Sequence, residues 1–399
     1  EKALAIDPAC TGAQQTVGFC SLALGDWERG WKGYSAALGG KFRKIVKVGD
    51  EPHWDGKPVK TLFCYGEQGL GDEIMMASCL PDAARDAGKI VLECDRRLGG
   101  LFARSFPFAD VYATRKQQAV AWPNKYQIDA GCAVGDLPGF YRPTPQSCPG
   151  TPFLVADDER RIQWRALFDS WGKRPKIGIC WSGGRRHTNA SGRRIPLEAF
   201  RPLIQEFDAD WVSLQYTDPK AEIEDSGLPV RHFARAAQTE DYDDMAALVA
   251  ELDLVIGVHT AVQHLAGGLG VPAIVLVPQK ATWIWALPEM PWYGTARLFR
   301  QREKEPWLAT MQRLVTSDCE HLDRIRPTGS GGVPRLHAID HRQGEHPGGD
   351  QATNPVVAQV LSESLRRDEQ LHHKPVLGAV HGGLPGLGAV HGQRHAVAG

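Results

Sequence analysis

Thr61-Leu62-Phe63-Cys64-Tyr65-Gly66-Glu67-Gln68-Gly69-Leu70-Gly71-Asp72 is the stretch on which the fold class turns. Thr61 to Tyr65 is a short, largely apolar run that reads as a buried strand. Glycines at 66, 69 and 71 punctuate a turn, and a helical pattern follows from about Asp72 to Ala87. A second apolar run, Lys89-Ile90-Val91-Leu92-Glu93-Cys94, reads as another strand. Strand, helix and strand in that order give a parallel pair with a crossover. The strand-to-helix loop is where such sheets bind ligands. No Lys-Ser/Thr follows Gly71, so the loop is not a Walker loop, and it does not spell G-x-G-x-x-G either. Its glycines permit close backbone approach to a ligand. Asp72, at the helix start, either caps the helix or serves the site.

The same alternation returns from Lys176. Ile177-Gly178-Ile179-Cys180-Trp181 reads as a strand ending in Ser182-Gly183-Gly184. A helix near Leu197 to Phe207 and a strand Trp211 to Leu214 follow. Asp241, Asp243 and Asp244 open a further helix, where acidic groups suit the positive dipole end. Leu252 to Val258 is a strand, and Val262, Leu265, Ala266 and Leu269 share one helical face that Gly270 caps and Pro272 stops. Val271 to Pro278 is the next buried strand. Pro143, Pro145, Pro149 and Pro152 mark a linker or crossover between the two sets. Two sets in series predict two Rossmann-like lobes facing a cleft, at 58–150 and 174–322.

Residues 1–40 read differently. Phe19, Leu22, Ala23 and Trp27 recur at helical spacing, and Gly25-Asp26 reads as the turn between paired helices. The Asp7-Pro8 stop and this pairing resemble the tail end of a tetratricopeptide array; a helical hairpin packed on the next domain is the other reading. From 326 to 399, Gly, Pro and His dominate and Leu-Gly-Ala-Val-His-Gly occurs at both 377–382 and 387–392, so a disordered low-complexity tail, native or an extension, is expected. Its histidines have only composition to suggest metal binding.

Bulk properties exclude some classes of function. The chain has 399 residues, is 42% hydrophobic and 23% charged, and carries a net charge of −1, so no global field favours nucleic acid or an anionic membrane. No apolar run approaches a membrane-spanning length. Glu1-Lys2-Ala3-Leu4 shows no signal-peptide pattern and opens in mid-pattern, as a fragment would. The nine cysteines make no C-x-x-C pair, and Cys64, Cys94 and Cys180 sit in apolar runs. Reduced thiols and a cytoplasmic location are the expectation.

The Gly69-Leu70-Gly71-Asp72 loop resembles the corresponding loop of glycosyltransferase family 9, the ADP-heptose:lipopolysaccharide heptosyltransferase type, in its tetratricopeptide-containing branch. Gly178 to Gly183 resembles the family's G-x-x-W-x-G strand and loop. Leu252 to Gly270, with Thr260-Ala261 and His264-Leu265-Ala266-Gly267, resembles its D-T-x-x-x-H-L-A-G-A-L-G block. Pro291-Trp292-Tyr293 and Arg297 to Gln301 resemble its closing segment. The resemblance covers about 58–315 and rests on the order of motifs that are individually weak.

The resemblance implies an α/β, GT-B fold: two Rossmann-like lobes, preceded here by a short all-α tetratricopeptide-like remnant. It implies an inverting, metal-independent transferase with no cofactor, moving a sugar from a nucleotide-diphosphate donor to a glycan, lipid-linked or protein acceptor. Asp72 maps to the catalytic base, with Gly69 and Gly71 in the acceptor-side loop. Ser182, Gly183, Arg186, His259, Thr260, Ala261 and His264 map to the donor site, where a helix N-terminus near Thr260 suits a diphosphate. Arg185, Arg186, His187, Arg193 and Arg194 form a basic loop that either faces phosphate or is simply solvated. His259 stands where the family has Asp. A protonated His there would favour an anion, but the change equally marks an altered donor or lost activity. Trp283 and Trp285 either flank a nucleobase or belong to the core. The competing reading is a non-catalytic protein that binds a partner through its helices, or binds a nucleotide without turnover.

Overall fold

The computed structural model describes residues 2–40, 43–115, 117, 120–183, 193–237 and 240–317. The expected tail at 326–399 lies outside them. The chain opens with helices α1 (Lys2–Ile6), α2 (Thr11–Leu24) and α3 (Trp27–Ser35). Gly25, at φ 87°, ends α2 in the left-handed region, and Asp26 starts α3 by accepting a hydrogen bond from the Arg29 backbone.

The first lobe comprises β1 (Val59–Tyr65), α4 (Leu70–Ala77), α5 (Leu80–Asp86), β2 (Ala87–Glu93), α6 (Gly99–Ser105), β3 (Ala109–Tyr112), β4 (Ala130–Ala133) and α7 (Leu137–Tyr141). Its sheet runs β3-β2-β1-β4, all parallel, with Phe63 opposite Val91 and Cys64 opposite Cys132. Helix α8 (Asp158–Ser170) crosses to the second lobe. That lobe comprises β5 (Lys176–Cys180), α9 (Arg201–Glu206), β6 (Asp210–Ser213), α10 (Lys220–Ser226), β7 (Val230–His232), α11 (Ala234–Ala237), α12 (Asp243–Ala250), β8 (Leu254–Val258), α13 (Ala261–Leu269), β9 (Ala273–Val277), β10 (Ala296–Arg300) and α14 (Trp307–Ser317). Its sheet runs β10-β9-β8-β5-β6-β7, again all parallel. Two parallel α/β lobes in series are the GT-B architecture.

Two sequence expectations are corrected. The helix expected over 72–87 is two helices, because Pro81 supplies no N–H to continue α4 and instead sits in the first turn of α5. The helix expected over 197–207 begins as a 3-10 turn, Leu197–Phe200, and becomes α-helical only around Pro202. The proline-marked linker is followed by a full helix, α8, which Asp157 caps by accepting from the Arg160 backbone.

The N-terminal helices face inward. Leu22, Trp27, Trp31 and Tyr34 share one buried cluster with Ile74 and Met75 of α4 and Leu265 and Ala266 of α13. Trp27 stacks on Trp292 at 5.5 Å between ring centroids, and Phe19 stacks on Trp283 at 6.4 Å. The Trp31 indole donates to the Arg142 carbonyl at 2.7 Å. These helices therefore touch both lobes, as a packed hairpin does. All eight cysteines among the described residues are free, five of them buried.

Candidate functional site

In each sheet the chain steps outward in one direction, returns, and steps outward in the other. The reversal falls between β1 and β4 in the first lobe and between β5 and β8 in the second. Crevices at such switch points, beyond the carboxyl ends of the strands, are the natural ligand sites of open α/β sheets. The segments that leave these four strands are Gly66 to Gly69, Val134 to Asp136, Trp181 to Gly183 and His259-Thr260. The candidate site lies where they meet.

Helices α4 and α13 pack together with glycine at the contact. A Cβ on Gly71 would sit 2.8 Å from His264 Cδ2 and 3.2 Å from Ala261 Cα. Gly183 is equally constrained: a Cβ there would lie 2.2 Å from Thr260 Cγ2. Thr260 begins α13 in an extended conformation, and its hydroxyl does not cap the helix but lies 3.7 Å from the Cys180 thiol. The first-turn N–H groups of α13 thus have no side-chain cap, and they carry the positive end of the helix dipole. Asp72, third residue of α4, follows Gly71 at this helix contact and remains partly open to solvent. A shallow surface dimple beside the loop is lined by Glu67, Gln68, Asp72 and Gly135.

Burial pushes the Asp72 carboxyl above its ordinary range, opposed by the Arg193 charge and by the backbone N–H groups of Gly69 and Asp72 itself. The carboxylate therefore both reaches back toward the helix start and stands in the cleft; the two sequence readings are not exclusive. Arg193 is half-buried, and burial lowers its pKa against the pull of Asp72. The same charge acts on both histidines. Burial, then Arg193, bring His259 down to about 4, with the Leu276 carbonyl opposing. Burial, then His259 and Arg193, bring His264 down to about 3. Burial and the neighbouring arginine thus disfavour, at His259, the protonated form that would favour an anion; the ring is 4% exposed. His264 Nδ1 is 2.9 Å from the Tyr293 hydroxyl, and His259 Nδ1 is buried with no hydrogen-bond partner among the described residues.

Gly71 thus packs on His264 and Ala261 and Gly183 packs on Thr260, with Asp72 next to Gly71 in α4, Gly69 just before that helix and His259 just before Thr260, while Arg186 lies outside the described residues. Ser182 is present but largely engaged. Gln215 Oε1 accepts from the Trp181 and Ser182 backbones at 3.0 and 3.2 Å, and its Nε2 donates to Ser182 Oγ at 2.5 Å. Nothing in the sequence signalled Gln215, whose only mark is its place just beyond a strand end. Trp283 and Trp285 belong to the core: Trp283 packs on Phe19 and Trp31, and Trp285 lies 4.9 Å from the His264 ring.

Two parallel lobes with their switch points in contact define an α/β protein of GT-B type. Comparisons with known proteins add the following. No family model matches the sequence. Protein FlbA of Caulobacter vibrioides is 31% identical over 321 residues, which are 74% of this chain and 53% of that protein, so the chain spans about half the length of this curated relative. Among solved structures, the chain is similar to a family 9 glycosyl transferase from Veillonella parvula, at 13% identity and a TM-score of 0.48 over 68% of this chain and 99% of that one. It is also similar to ADP-heptose LPS heptosyltransferase II of E. coli, at 15% identity and a TM-score of 0.44 over 67% of this chain and 98% of that one.

Proposed function

We propose that this chain is a glycosyltransferase that carries a sugar from a nucleotide-diphosphate donor to an acceptor hydroxyl with inversion. The observation that carries the reading is the close packing of α4 on the start of α13, which brings Gly71 against Ala261 and sets Asp72, the next residue, beside that contact. The family 9 motifs, in their order along the sequence, support it.

In this reading the donor diphosphate lies against the first turn of α13, held by the Thr260 hydroxyl, the Ala261 backbone and the Ser182 hydroxyl. Gly183 lets the Thr260 side chain pack against its backbone. Arg193 supplies positive charge where the leaving group develops negative charge. His259 and His264, being neutral, add hydrogen-bonding capacity without charge. Asp72 takes the proton as the acceptor oxygen bonds to the anomeric carbon. The bond from that carbon to the diphosphate oxygen breaks, and the nucleoside diphosphate leaves with the electron pair. One displacement at one carbon inverts its configuration. The helix dipole and Arg193 do the neutralising that a metal ion does elsewhere.

Asp72→Asn tests the assignment. It should keep donor binding, measured by calorimetry, and lower transfer by about 10²–10⁴-fold, the usual contribution of a general base. Unchanged turnover in Asp72→Asn would remove Asp72 from the mechanism. A folded protein that binds nucleotide sugars but never cleaves them would favour the non-catalytic binding role.

A further inference from the structure

The loop that carries Asp72 is gripped from two sides by arginines that take no part in the proposed reaction. From within the first lobe, Arg115 donates to the Gln68 carbonyl at 2.9 Å and to Asp95 Oδ2 at 3.0 Å, and pairs with Glu73. From outside the lobe comes Arg43, on the segment that follows α3. Its Nε and Nη2 donate to Glu67 Oε1 at 3.0 and 2.8 Å. Its Nη1 donates to Asp136 Oδ1 at 2.8 Å and to the Tyr34 carbonyl at 2.9 Å. The guanidinium lies 4.3 Å from the centre of the Tyr34 ring and is 1% exposed. Ser35 of α3 donates to the same Asp136 oxygen at 2.8 Å. Even the backbone after β4 is shaped around the pair, since a Cβ on Gly135 would fall 2.4 Å from Glu67 Oε1 and 2.9 Å from Arg43 Nη2.

Such a network is weak evidence for stability, because a well-packed apolar replacement of a buried ion pair is often as stable. Its geometric effect is definite. Arg43 ties Glu67 to Tyr34 and Asp136, and so fixes the near end of the Gly66–Asp72 loop relative to α3 and to the loop after β4. Arg115 fixes the next residue, Gln68. Between them the backbone leading to Asp72 has little freedom. On the far side, the helical hairpin that carries this grip stacks on Trp283 and Trp292, on the segment that leads to Tyr293, the partner of His264.

We propose that Arg43 is a positioning residue for Asp72, which makes the N-terminal helical hairpin a working part of the site rather than an appended module. This rests on the reading of Asp72 as the base. A displacement of a reacting group by about 1 Å can cost on the order of 10²-fold in rate.

The test uses the full chain and separates local from global effects. Removing Arg43 alone strands two buried carboxylates, so the informative variant is Arg43→Met/Glu67→Leu/Asp136→Asn, which removes the charges together. Hydrogen exchange of amides 66–73 is measured beside the urea midpoint. The expected result is a midpoint close to that of the unaltered protein with exchange at 66–73 at least about 10-fold faster. For a nucleotide sugar that the unaltered protein hydrolyses, kcat should fall on the order of 10²-fold while KM holds. Should the triple variant not fold, Arg43→Lys, which keeps the charge but loses the paired donors, is read in the same way. Unchanged exchange at 66–73, or a loosened loop with unchanged kcat, overturns the proposal. Full transfer by Asp72→Asn would instead overturn the base assignment and leave the grip on the loop as a structural fact.

Discussion

His259 directly precedes Thr260 and His264 lies in α13, and burial and Arg193 disfavour the protonated form of each ring. The consequence for stability has a definite sign. An unfolded histidine takes up a proton below about pH 6.5, whereas these two resist until about 4 and about 3. The unfolded state therefore binds more protons across that window, and stability is lost as pH falls from about 6.5 toward about 3. Each histidine contributes a slope of up to about 1.4 kcal/mol per pH unit. Urea unfolding at pH 7 and pH 5 should show the loss, and His264→Gln should make the curve shallower; a slope unchanged in that variant would deny that the ring is dry. Arg193 has its own signature. It lowers the pKa of Asp72, so in Arg193→Met the acid limb of the pH–rate profile should move to higher pH. The sequence placed His259 and His264 beside a strand end and a helix start, as observed. It was silent on their charge, which is set by burial against residues distant in the chain, and it gave no hint of Gln215.

The contact between α4 and α13 decides whether the site exists, and glycine makes it. Gly71→Ala would drive a methyl group into His264 Cδ2 and the Ala261 backbone. Backbone on one side leaves little room to yield, so a loss of about 1–3 kcal/mol is expected, with a lower Tm and weaker donor binding. A variant as stable and active as the parent would show that the helices are free to part. The β-α-β reading that began at Thr61 was legible because apolar runs and glycines punctuate it clearly. What it missed came from proline: Pro81 divides α4 from α5, and Pro202 turns the start of α9 into a 3-10 turn. Both prolines are visible in the sequence, but an apolar pattern continuing past them outweighed them in the reading.

Two lobes were legible from two runs of strand and helix. The place of the N-terminal helices was not, because a helical hairpin with aromatic residues on one face looks the same whether that face meets another repeat or another domain. Here it meets Trp283, Trp285, Trp292 and the first lobe, and Trp31 is 3% exposed with its indole N–H bonded to Arg142. Trp31→Ala should cost about 3–5 kcal/mol and lower the single unfolding transition, not create a separate early one. Among the described residues no helix is long and apolar enough to cross a membrane.

The most direct test of the central claim is the release of nucleoside diphosphate from a panel of nucleotide sugars, followed side by side in the parent protein and in Asp72→Asn. The account predicts that one donor is bound by both proteins and cleaved by the parent alone. Equal cleavage by the two, or a folded parent that binds no donor in the panel, would contradict it.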